Sequence, residues 1–168
     1  MVTSLVSVYN LSTVIFYLIC YVIMNLTVFG FINITEWNNI GIKTEDFVGL
    51  FHKNHGLSIA YAITIIGLAG FPITSGFVAK IYLFSAIAGS GLIFVPFLLI
   101  LLILTVIALF YYLKLILPLF SPANVDTKIL KVFYSQKFLL ATTAAATVII
   151  GIYPEKLIQL CKFIAYNI

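Results

Sequence analysis

Long apolar runs alternate with short polar stretches along this chain, and the length of each run against the thickness of a membrane decides what it becomes. Residues 11–32 hold Asn25 as their only strongly polar interior position. At ~1.5 Å per residue they cross a ~30 Å hydrocarbon core once. Residues 35–55 carry Glu36, Lys43, Glu45, Asp46, His52, Lys53 and His55, interrupted by Phe47-Val48 and Leu50-Phe51. That pattern predicts an interfacial connector, part of it a short amphipathic element.

Residues 57–88 are apolar almost throughout, yet one straight helix over them would be roughly 48 Å long, well beyond the core. The run must bend or reverse. Pro72, with Gly67, Gly70 and Gly76 around it, marks the place, because proline removes a helix hydrogen bond and glycine tolerates irregular backbone. Two short spans follow, 57–71 and 73–88. A Gly89-Ser90-Gly91 turn leads into the strongest span, 92–117, which ends at Pro118 and Pro122 with Lys114 near that end. Residues 121–137 form a second polar connector with Asp126, Lys128, Lys131 and Lys137; 138–153 make the fifth span. In 155–168, Lys156 and Lys162 oppose Leu157, Ile158, Leu160, Phe163 and Ile164, which suits an amphipathic tail. The fold class is all-α, a polytopic transmembrane helix bundle of about five spans, with residues 1–168 as one domain and one pair of spans around a Pro/Gly-broken segment. Five spans put the Pro72 turn and the second connector on one face, the first connector and the tail on the other.

Composition agrees with the membrane reading, since 63% of residues are hydrophobic and 8% charged, where a soluble domain carries about 25% charged residues. Mean hydropathy is +1.20. All nine basic residues are lysine, with Ile, Phe, Tyr and Asn abundant. This is the signature of an AT-rich coding sequence, common in organellar genomes and shared by AT-rich bacteria. The scattered lysines form no basic stripe for nucleic acid. Cys20 and Cys161 lie far apart in apolar surroundings and read as inert thiols. The first ten residues carry no charged region or cleavage signal of a targeting peptide. Neither a phosphate-binding loop, a nucleophile elbow, a Cys/His metal set nor a haem pair appears, so no catalytic residue, metal or bound cofactor is expected on this chain.

Lys80 is the chemically informative residue. It stands in the apolar run from Gly67 to Phe84 with no acidic residue in that run, and a charge at membrane depth costs at least ~2.5 kcal/mol on insertion scales. If the backbone is irregular from Pro72 to Gly76, Lys80 falls about one turn into the following half-helix, near its positive pole. Desolvation and that pole both act against the ammonium form, which suits a labile proton carrier. Broken helices at midplane are also where transporters build ion sites. The plain alternative is a lysine that snorkels to the interface. No carboxylate lies at helical spacing from Lys80, so an acidic partner must come from another chain. Lys114, one turn from its helix end, reads either as a snorkelling cation or as a relay member with Tyr111 or Tyr112. Thr74, Ser75, Tyr82 and Ser85 are further candidates for lining a hydrated path, or simply back-bond and pack. His52 and His55 read as solvated loop histidines.

At these residues the chain resembles the antiporter-like, proton-translocating subunit 2 of the respiratory NADH:ubiquinone oxidoreductase membrane arm (complex I). The match is carried by Gly67-Leu-Ala-Gly-Phe-Pro-Ile-Thr-Ser-Gly-Phe-Val-Ala-Lys80, which follows the pattern Ser-Leu-Ala-Gly-Ile-Pro-x-x-x-Gly-Phe-x-x-Lys. Phe16-Tyr-Leu-x-x-Tyr21, Met24-Asn-Leu, Asp46-Phe-Val-Gly-Leu50, Tyr111-Tyr-Leu-Lys114 and Gly151-Ile-Tyr-Pro154 support it. The resemblance covers roughly the last five of the family's fourteen helices. It implies that Lys80 is the protonatable lysine of a central polar axis on the broken twelfth helix, and Lys114 a basic position on the thirteenth.

It also implies a translocase subunit contributing half of a proton channel, with NADH, FMN, Fe–S clusters and ubiquinone handled elsewhere in the complex. The implied partners are a separate chain carrying the N-terminal helices, as after a gene split, together with other membrane-arm subunits and lipids. The implied location is the mitochondrial inner membrane, or in a bacterium the plasma membrane. It places the Pro72 turn and the second connector on the matrix side. The rivals are a subunit of a cation/proton antiporter and a purely structural membrane subunit.

Overall fold

The computed structural model describes residues 2–122 and 131–167, so that Asp126 and Lys128 of the second connector lie outside the described residues. Among them the regular elements are all helical. They are α1 (Val2–Trp37), a 3-10 turn (Thr44–Phe47), α2 (Leu50–Lys53), α3 (His55–Ala69), α4 (Ser75–Gly89), a second 3-10 turn (Leu92–Phe94), α5 (Val95–Phe120), α6 (Tyr134–Ile152) and α7 (Glu155–Asn167). Tyr9–Trp37, Leu92–Phe120 and Tyr134–Ile152 are each long and apolar enough to cross a membrane. α3 and α4 have 15 residues each. At ~1.5 Å per residue each reaches about 22 Å, short of the hydrocarbon core.

The contacts along α1 show how the short helices are arranged. Tyr9 Oη meets Ser85 Oγ at 3.2 Å, the Phe16 ring packs edge-on to Tyr82 at 6.0 Å, Met24 touches the positions of Gly76 and Gly67, and Phe31 stacks on Tyr61 at 4.0 Å. Moving along α1, its neighbours thus run from the end of α4 to its start and on into α3. α3 and α4 lie end to end, antiparallel to α1. α5 then returns beside them, its last turn held to the first connector by Gly49 N–H donating to Pro118 O at 3.1 Å and by Phe51 against Phe120 at 4.9 Å. The sequence expectation of two spans at 57–71 and 73–88 is therefore corrected. The helices exist, but between them they make one broken crossing.

One crossing fewer changes the faces as well. The Asn38 side chain donates to Lys131 O at 3.0 Å and accepts from Lys131 N at 2.8 Å, and Trp37 packs on Phe133 at 5.0 Å. α6 runs antiparallel to α1, joined to it by Thr27 Oγ1 donating to Thr143 Oγ1 at 2.7 Å. Both connectors accordingly sit on one face, and the α4–α5 turn and α7 sit on the other. The expectation that the connectors face apart fails for this reason. α7 packs on α1, burying Ile158 and Cys161, with Cys20 equally buried.

Local chemistry explains the break. Asn54 caps α3 by accepting from Leu57 N at 3.1 Å, and α3 ends at Gly70, whose φ of 85° closes the helix in the left-handed region. Pro72 follows, then Ile73 at φ 78°, an unusual conformation for a β-branched residue. Thr74 is extended, its Oγ1 donating to Phe71 O at 2.6 Å. Two glycines clear the space around this segment: a Cβ on Gly76 would overlap the Gly67 carbonyl, and one on Gly151 of α6 would overlap the backbone of Ile73 and Thr74.

Two outcomes follow. Gly76→Ala lowers the thermal midpoint of the detergent-solubilised protein, by the equivalent of about 1–3 kcal/mol for overpacking, whereas Gly89→Ala, which meets nothing within 4 Å, leaves it unchanged. In sealed vesicles an impermeant thiol reagent labels Ile42→Cys and Ser135→Cys, exposed on the two connectors, from the same side and Lys156→Cys from the other. Opposite-side labelling of the first two would overturn the topology.

Candidate functional site

The end-to-end stacking of α3 on α4 leaves the last carbonyls of α3 without helical partners in an apolar setting. Gly70 N–H donates to Gly67 O at 2.9 Å, and Phe71 N–H to Ile66 O at 3.1 Å. The carbonyls of Leu68 and Ala69 remain. Lys80, in the second turn of α4, extends back toward its own N-terminus as helical side chains do, and its Nζ donates to Leu68 O at 2.9 Å and to Ala69 O at 3.1 Å. One ammonium closes the cap across the break.

This geometry corrects the expected electrostatics. The nearest helix pole to Nζ is the negative C-terminal end of α3, hydrogen-bonded to it, and not the positive start of α4. The head does not snorkel either, since it turns inward to the break. Gly70 lies directly beneath the side chain, where a Cβ would come within 2.9 Å of Nζ.

Lys80 borders a cavity of about 200 Å3 between α1, α3, α4 and α5, whose other polar groups are Tyr17 and Tyr21 of α1, Tyr112 of α5 and Thr105. Thr105 Oγ1 is already committed to Leu101 O at 2.8 Å. The Tyr17 and Tyr21 rings stack at 6.0 Å. No carboxylate is among the cavity's lining residues. The arrangement offers one titratable amine, two fixed carbonyls and three phenolic hydroxyls around a space large enough for water, which is what a proton-exchanging site requires.

The sequence-nominated residues divide among several places. Tyr112 joins Lys80, while Tyr111 and Lys114 line a separate cavity facing the first connector. Tyr82 and Ser85 point the other way from α4, toward α1 and α7: Tyr82 shares a small pocket with Phe16 and Lys162, and Ser85 meets Tyr9. Thr74 and Ser75 are buried at the break. Thr74 is held by Phe71 O, and Ser75 Oγ has no hydrogen-bond partner among the described residues. Neither lines the Lys80 cavity. Gly70 and Pro72 form the break itself, and Gly76 lets its two halves touch. His52 and His55 are exposed and pack edge-on to Phe51 at 5.8 and 4.6 Å. Sequence reasoning missed Tyr17 and Tyr21. Their signal was present, since two phenols at i, i+4 share one face of a helix at membrane depth.

The family model described as "NADH:quinone oxidoreductase/Mrp antiporter, TM" matches residues 1–108, which include α1, the break and Lys80. The chain belongs to this family. Among curated relatives, NADH-quinone oxidoreductase subunit N of Cytophaga hutchinsonii is 30% identical over 160 residues, 95% of this chain and 35% of that protein. Subunit N 2 of Solibacter usitatus is 32% identical, covering 87% of this chain and 30% of its own length. Subunit N of Phocaeicola vulgatus is 34% identical, covering 70% and 25%. The chain spans between a quarter and about a third of the length of these relatives.

Removing the cap has a measurable cost. Lys80→Leu leaves the Leu68 and Ala69 carbonyls unpaired and destabilises the solubilised protein by about 1–3 kcal/mol for buried groups left unsatisfied. Lys80→Arg, which keeps a long cationic donor, retains most of the stability. Thermal midpoints of the two variants, compared at equal detergent, distinguish these outcomes.

Proposed function

We propose that this chain forms the C-terminal part of an antiporter-like membrane subunit of respiratory NADH:ubiquinone oxidoreductase, of the subunit 2 type, corresponding to subunit N of the bacterial relatives. It contributes half of a proton-translocation channel. The observation that carries this reading is Lys80 itself: an ammonium held at a helix break, bordering a cavity with three tyrosines. Lys80 exchanges a proton with water in that cavity as charges on neighbouring helices move, and the energy comes from quinone reduction elsewhere in the complex. The relatives' additional length corresponds to the remaining helices, whether continuous with this sequence or supplied by a separate chain, and these bring the acidic or basic partners that the cavity lacks.

The location follows from the same reading. Lys43, Lys53, Lys131 and Lys137 lie on the connector face, against Lys156 and Lys162 on the α7 face. The positive-inside rule then turns the connectors to the matrix, or to the cytoplasm in a bacterium. The lysine-only, AT-rich composition favours an organelle, and hence the mitochondrial inner membrane. The family's description also spans Mrp antiporters, but the names of the relatives favour the oxidoreductase.

Two measurements test the proposal. The subunit co-purifies with a large NADH-oxidising assembly; recovery only with an antiporter complex would overturn the assignment. Arginine holds its proton at all accessible pH, so Lys80→Arg keeps the assembly intact but lowers protons pumped per NADH oxidised. Wild-type pumping in that variant would sink the proton-exchange role and leave Lys80 as a cap alone.

A further inference from the structure

α3 and α6 both begin on the connector face and run inward side by side. Between their first two turns lies a groove of about 300 Å3, lined by Asn54, Leu57 and Ala60 on one side and by Lys137, Leu140 and Ala141 on the other. Its polarity changes with depth. The Asn54 amide and the Lys137 amine stand at the connector end, in the cap of α3 and the first turn of α6, and the four side chains further in are apolar. Deeper still the two helices close on each other, where Gly67 makes room for Thr147.

The mouth of this groove is positive. Two helix N-termini meet there, each the positive end of its dipole, and Lys137 adds an ammonium at the end of α6 where a cation is least favoured. No carboxylate is among the lining residues. Of the acids on this face, Asp46 accepts from Lys43 N at 2.9 Å, Glu45 lines the cavity beside α5, and Glu36 is exposed near the end of α1. Asn54 Oδ1 is committed to Leu57 N at 3.1 Å, which leaves its Nδ2 as a donor. Width selects the occupant. α3 and α6 pack on each other, and packed helices stand about 8–10 Å apart, so the space between them admits an acyl chain but not a further helix ~10–12 Å across.

We propose that the groove holds an anionic phospholipid of the surrounding membrane. The headgroup phosphate accepts from the Lys137 ammonium and the Asn54 amide, and one acyl chain runs inward over Leu57, Ala60, Leu140 and Ala141. Charge at the connector face above apolar walls at depth matches the two ends of such a lipid. The bound lipid supplies the counter-charge that Lys137 lacks and braces α3, the first half of the broken crossing, against α6. The inference needs the chain only to span a membrane and does not depend on proton exchange at Lys80.

The full chain in neutral detergent is titrated with phosphatidylglycerol or with phosphatidylcholine of the same acyl chains, and binding is read from the rise in thermal midpoint. Phosphatidylglycerol binds the more tightly. Lys137→Gln weakens it about fivefold, the share of one lysine facing an anionic headgroup; Lys137→Arg retains it, and Lys156→Gln, the same charge change on the opposite face, has no effect. Ala141→Leu, at an exposed groove position, blocks the lipid while keeping the lipid-free midpoint. Glycerophosphoglycerol, the headgroup without acyl chains, does not bind. In native membranes a phosphatidylglycerol with a photoreactive acyl chain labels residues 137–141, and Lys137→Gln loses the label. Equal binding of the two lipids, wild-type affinity in Lys137→Gln, or binding of glycerophosphoglycerol as tight as that of the lipid overturns the proposal. So does a groove that stays unlabelled in native membranes because another polypeptide covers it.

Discussion

A helix interrupted inside hydrocarbon leaves backbone carbonyls without helical partners, and the architecture of this chain follows from how that demand is met. Gly70 turns the chain so that two of α3's terminal carbonyls bond locally, and the Lys80 ammonium takes the remaining two. Two consequences come together there. The break is closed only by a side chain that itself needs polar company, and that side chain is stable at depth only because the break supplies it. Gly76 and Gly151 then allow α3, α4 and α6 to press against the irregular segment.

The same junction explains the mixture of polar and apolar surfaces. α1 serves as a continuous rail along both halves of the broken crossing, and its Tyr17 and Tyr21 stand beside Lys80. α5 touches the broken crossing on one side, while Leu99, Ile103, Val106, Ile107 and Phe110 remain exposed. Apolar side chains in that number suit lipid or neighbouring membrane helices. Among the described residues the charged groups lie at the break, on the connector face and on α7, leaving the outward face of α5 apolar.

Much of this was legible in the residues. The all-helical membrane character, the interruption around Pro72 and the anomaly of Lys80 follow from hydropathy and proline geometry. The count of crossings did not, because two 15-residue helices look alike in sequence whether they reverse or stack, and only their neighbours along α1 decide. That single difference also placed the connectors on one face. The Lys80 environment was misjudged for a related reason: helix-dipole reasoning within one helix cannot include the terminus of another that abuts it. The nominated hydroxyls scattered because Tyr82 and Ser85 share the helix of Lys80 but not its face. Glu45 and Lys114 are distant in sequence and come to line one cavity where Gly49 is tied to Pro118.

The shortness of α3 and α4 bears on biogenesis. An emerging segment partitions into the bilayer by its own apolar length, and α5, with hydropathy 3.2 across its window, does so unaided. Neither half of the broken crossing is long enough, and one carries an amine. The two halves therefore reach across the bilayer only together, end to end, with the Lys80 bonds to Leu68 and Ala69 joining them.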